Sequence, residues 1–143
     1  MATQPEPATM PAVNAVVAMV RVRNVERSVE FYRRLGFAVG NYVPRVENCP
    51  MAWAWLYQPQ ASNWKTGANL MLTVGQEDIS PGSHSVLFYL YAADLVALRS
   101  ELLAQGVEVG GICYPEYLPE GEFRTSDPDG YTLMIAQAGK DTP

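Results

Sequence analysis

The sequence predicts an α+β fold made of two tandem βαβββ units, and three observations carry that expectation. Residues 20–37, VRVRNVERSVEFYRRLGF, read as the end of a strand, a helix cap, an amphipathic helix and a helix stop. The same order returns at residues 86–109, VLFYLYAADLVALRSELLAQGVEV, where Asp94 answers Asn24 and Gly106 answers Gly36 at the same interval. After each helix come short runs of strand composition, separated by Pro, Gly, Asn and Ser.

Residues 1–11 contain Pro5, Pro7 and Pro11 among small polar neighbours, and this composition reads as a flexible tail. The first unit spans 12–75. Its opening strand covers 12–22, ending in the alternation of Val20 and Val22 with Arg21 and Arg23. Asn24 offers a side-chain oxygen to the unpaired amides of a helix start, and Val25, Val29 and Tyr32 then recur on one helical face. Gly36 suits the left-handed stop, so the helix runs over 25–35. A strand at 37–43 is closed by Pro44. In the next strand, 51–57, Trp53, Trp55 and Tyr57 point one way while Ala52, Ala54 and Leu56 point the other. The unit ends in a strand at 68–74.

Residues 76–84 form a turn-rich connector, and the second unit spans 85–137. Its elements are a strand at 85–91, a helix at 95–105 capped by Asp94 and striped by Leu95, Leu98 and Leu102, and strands at 107–113 and 121–126. Asp127, Pro128, Asp129 and Gly130 make a strong turn signal before the last strand, 131–137. A short tail, 138–143, follows.

Composition excludes several function classes. The net charge is −5 and no basic run reaches five residues, so nothing is arranged to neutralise a nucleic-acid backbone. No apolar run approaches the ~20 residues of a membrane span, and the N-terminus lacks a positive region followed by an apolar one. A cytoplasmic protein is expected. Cys49 and Cys113 read as two free thiols without a redox role.

The stretches RVRNVERSVEFYRRLGF, ADLVALRSELLAQGVEV and FRTSDPDGYTLMIAQ, in this order on a duplicated frame, resemble the vicinal oxygen chelate superfamily over residues 12–137. That superfamily includes glyoxalases, extradiol dioxygenases and bleomycin-type resistance proteins. The resemblance implies a half-barrel or cleft, the glyoxalase/bleomycin-resistance-like fold, with the site on its concave side and the helices outside. It also implies a cavity shared by two units, within one chain or across a homodimer. Four positions in that family supply metal ligands, and here they carry Val17, Met71, Leu87 and Met134. None offers the imidazole or carboxylate that a hard or borderline divalent ion needs. No metal or other cofactor is therefore expected. His84 stands near the second opening strand, but its distance from Asp94 differs from that of Leu87, and it reads as a turn or strand-start histidine.

If Val17 and Leu87 face the cavity, strand parity adds Met19 and Arg21 to the first and Tyr89 and Tyr91 to the second. Asn69 and Thr73 flank Met71, and Thr132 flanks Met134. Arg21 either grips an anionic or aromatic ligand or lies solvated at the rim. Trp53, Trp55 and Tyr57 either form a stacking platform in the cavity, the favoured reading, or pack beneath the helix. Trp64, Tyr114 and Tyr117 lie in loops able to rim the site, and Glu116, Glu120 and Glu122 read as a solvated acidic loop. The expected function is metal-independent binding of an aromatic or amphipathic small molecule in an aromatic, apolar cleft, with sequestration as one role. The alternatives are a lyase, isomerase or dioxygenase of the same superfamily, using atypical ligands such as His84, Glu116 or Glu122 or metal-free acid/base chemistry, and a regulatory or structural dimer with a vestigial pocket.

Overall fold

The computed structural model describes residues 11, 13, 15–63, 66–75 and 86–139. Both helices begin where a short polar side chain replaces the missing amide partner. The Asn24 carboxamide accepts from the Arg27 N–H at 2.9 Å and opens α1 (Val25–Arg33); the Asp94 carboxylate accepts from the Ala97 N–H at 3.1 Å and opens α2 (Leu95–Ala104). Past their ends, Gly36 and Gly106 adopt φ of 94° and 81°, a conformation that costs a side chain with a Cβ. The expected stripes are the buried ones: Val25, Val29 and Tyr32 in α1, Leu95 and Leu102 in α2, with Leu98 half-buried.

The strands make two sheets with matching connections. In the first, β1 (Met19–Val22), β2 (Ala38–Val43), β3 (Trp53–Tyr57) and β4 (Asn69–Val74) lie in the order β1-β4-β3-β2. In the second, β5 (Phe88–Ala92), β6 (Glu122–Ser126) and β7 (Thr132–Gln137) lie in the order β5-β7-β6. In both, the strand before the helix pairs in parallel with the last strand of its unit, as a helical crossover requires, and the other pairings are antiparallel. The larger core collects Val20, Val22, Ala54, Leu56, Leu70 and Leu72 around α1; the smaller joins Leu95 and Leu102 to Phe123 and Ile135. Among the described residues no helix is long and apolar enough to cross a membrane.

Two expected strands are reduced. The opening strand begins at Met19, opposite Met71, and the described residues 15–18 before it are not strand, although the Ala18 carbonyl accepts from the Met71 N–H at 2.9 Å. Residues 107–113 form no strand. They touch β6 through two isolated bridges, Val109 to Thr125 and Cys113 to Glu122, and the Gly110-Gly111 pair lies between them. Glycine has no side chain to pack and loses the most backbone freedom in a strand, which explains the interruption.

The DPDG turn joins the second unit to the first. Asp129, fully buried, accepts from the Arg23 N–H at 3.1 Å, the Arg23 guanidinium at 3.3 Å and the Ser28 hydroxyl at 3.4 Å. Asp127 accepts from the Tyr32 hydroxyl at 2.8 Å, and the Tyr131 hydroxyl donates to the Arg21 carbonyl at 2.7 Å. Burial raises the pKa of the Asp127 carboxyl above its ordinary 3.8, against the hydrogen bonds that lower it. Burial, and then the charge of Asp127, raise that of the Tyr32 phenol.

Candidate functional site

Strand parity leaves one face of each sheet turned away from the cores. In β3, Ala54 and Leu56 are the buried residues, so Trp53, Trp55 and Tyr57 occupy the opposite face. Register sets them in rows. Trp55 pairs with Met71, which pairs with Met19; Trp53 pairs with Thr73, which pairs with Arg21; and Tyr57 pairs with Asn69. Trp55 and Tyr57 stack at 5.2 Å between ring centroids and 21° between planes, while the Trp55 indole N–H donates to the Asn69 carboxamide at 2.7 Å. Both contacts fix the indole in one orientation. Gly40, beside a bulge in β2, is the neighbour that lets it lie flat: a Cβ there would stand 2.4 Å from two ring carbons of Trp55.

On the second sheet, Tyr89 pairs with Met134 and that with Arg124, while Tyr91 pairs with Ala136 and that with Glu122. Arg124 donates to the Thr132 hydroxyl at 3.3 Å. Glu122 departs from the expectation of a solvated loop: it opens β6 and is only 4% exposed, whereas Glu116 and Glu120 are exposed. Its two carboxylate oxygens accept from the Tyr89 hydroxyl and, at 2.9 Å, from the Tyr117 hydroxyl. Donating to Glu122, above all, raises the pKa of the Tyr89 phenol, with burial second. The parity of β6 carried the signal for this cluster, because core-facing Phe123 and Thr125 put Glu122 on the same side as Arg124.

Of the remaining expected site residues, Val17 is half-buried just before β1 and Leu87 is exposed just before β5. Met71 and Met134 lie on different sheets, and Arg21 is exposed at the end of β1. Asn69 and Tyr89, one from each unit, meet in the wall of a cavity of about 230 Å³ together with Ala18, Phe88 and Leu133. The donor set at Val17, Met71, Leu87 and Met134 does not fit a zinc, iron or manganese ion, since two aliphatic chains and two thioethers supply no hard or borderline donor. Among the described residues no three His, Cys, Asp or Glu side chains gather as metal ligands. Both cysteines are free and exposed. His84 and Trp64 lie outside the described residues.

A family model described as the Glyoxalase/Bleomycin resistance protein/Dioxygenase superfamily matches residues 14–135. No curated protein matches the chain. Among solved structures, it resembles TnmS3, an antibiotic binding protein from Streptomyces sp. CB03234, with 24% identity and a TM-score of 0.68 over 91% of this chain and 99% of the other. A glyoxalase/bleomycin resistance protein from the same Streptomyces strain matches with 25% identity and a TM-score of 0.63 over 86% and 99%. A bleomycin-binding protein complexed with bleomycin matches with 18% identity and a TM-score of 0.64 over 87% and 98%.

Proposed function

The chain belongs to the Glyoxalase/Bleomycin resistance protein/Dioxygenase superfamily, and from that membership we propose that it is a metal-independent binding protein for a small aromatic or amphipathic molecule. The observation that carries this reading is the uncovered face of the first sheet, where Met19, Met71, Trp53, Trp55 and Tyr57 stand in register on the side away from α1. Flat apolar ligands gain from such a surface by area burial and by offset stacking on the rings, together worth several kcal/mol in order of magnitude. Solved relatives include a protein bound to bleomycin and an antibiotic binding protein, which supports a drug-like ligand and sequestration. Exposed Met19, Leu87 and Tyr91 support a homodimer in which a second copy completes the cleft.

A tryptophan-emission screen against diverse aromatic compounds, run on protein whose metal content is measured without chelators, tests the reading. Saturable quenching lost in Trp55→Leu, with no stoichiometric metal, is the expected result. Stoichiometric zinc, iron, manganese or nickel required for binding overturns it. A second reading, metal-free acid/base catalysis, is favoured by one observation, the buried Glu122 carboxylate in contact with two phenols.

A further inference from the structure

The Glu122 cluster fixes which hydrogen-bonding groups the second sheet presents to a ligand. A phenol has one proton and two acceptor lone pairs, and a carboxylate only accepts. Tyr89 and Tyr117 each commit that one proton to a different oxygen of Glu122. Their hydroxyl oxygens, which also lie within hydrogen-bond contact of each other, are thus left with lone pairs alone, while Tyr89 and Tyr117 as residues are 38% and 72% exposed. Ala136, which lies between Tyr91 and Glu122 in the register, is small enough for the glutamate to extend across β7 toward Tyr89.

We infer that Glu122 is a specificity-determining residue that acts through Tyr89 and Tyr117, making them an acceptor-only surface that selects aromatic ligands carrying N–H or O–H donors and disfavours those offering only acceptors. This deepens the binding function proposed above and rests on it. The physical basis is the asymmetry of hydrogen bonding. A ligand donor finds a charge-polarised phenol oxygen, whereas a ligand acceptor brought there loses its water without a partner.

Indole and benzofuran test this, because they share shape and neutral charge and differ in an N–H against an ether oxygen. Binding is followed by NMR at the backbone amides of Tyr89 and Glu122. The expected result is a five- to tenfold preference of the wild type for indole, about one hydrogen bond's worth. In Glu122→Gln the carboxamide N–H₂ donates to one phenol and frees that phenol's proton to point outward, so the preference falls below about twofold while both compounds still bind. Equal wild-type affinities, or a preference unchanged in Glu122→Gln, overturn the inference and leave the aromatic binding function standing. Absence of binding by both compounds at these amides and at the Trp53 and Trp55 indoles instead contradicts the binding function itself.

Discussion

Gly40 and Trp55 hold their positions by mutual fit, and this is where the aromatic face of the first sheet is most sensitive to one atom. A methyl group at residue 40 would overlap the Trp55 ring, so Gly40→Ala must tilt the indole away from Tyr57 and Asn69. The expected cost is about 1–3 kcal/mol in urea unfolding, typical of overpacking, with a shift in tryptophan emission. Asp127 makes a pH prediction. Its pKa is raised in the fold, so ionising it costs more there than in the unfolded chain. Its contribution to stability is therefore greatest below its ordinary 3.8 and declines as pH rises through the folded value. Asp127→Asn should remove that decline from a plot of unfolding free energy against pH, and an unchanged slope contradicts the assignment. At this scale the sequence was only partly legible. Alternation showed that Trp53, Trp55 and Tyr57 share a face, but which face depends on where α1 packs, a long-range fact. Glu122 was hidden for a related reason: its partners Tyr89 and Tyr117 come from another strand and from a loop.

The helices are the most legible elements, because their signals are local. Asn24 and Asp94 both cap as their residue type and position require, and Asn24→Ala or Asp94→Ala should each cost about 1 kcal/mol in thermal or urea unfolding. Asn24→Asp should cost little, since the oxygen acceptor remains. Strands were less legible, since pairing depends on what arrives alongside. The hydrophobic run at 107–113 has strand composition, yet with Gly110 and Gly111 in it only two isolated bridges form.

At the scale of the whole molecule, the duplicated grammar predicted two units of the same order, and in both sheets the strand before the helix pairs in parallel with the last strand, but the joint between them was not legible. That joint runs through the DPDG turn, whose local signature announces a turn and says nothing of Asp129 reaching Arg23 and Ser28 in the first unit. Asp129→Ala should cost about 2–3 kcal/mol, the scale of hydrogen bonds to a charged group left unmade, because the Arg23 N–H and Ser28 hydroxyl lose their acceptor. The residue types at Val17, Met71, Leu87 and Met134, two aliphatic chains and two thioethers, are what the proposal of metal-independent binding rests on. The most direct measurement is a titration of chelator-treated protein with indole, followed at the Trp53 and Trp55 indole N–H resonances. Saturable shifts of both without added metal are the predicted result. Unmoved resonances, or shifts that appear only after a divalent metal is restored, contradict the account.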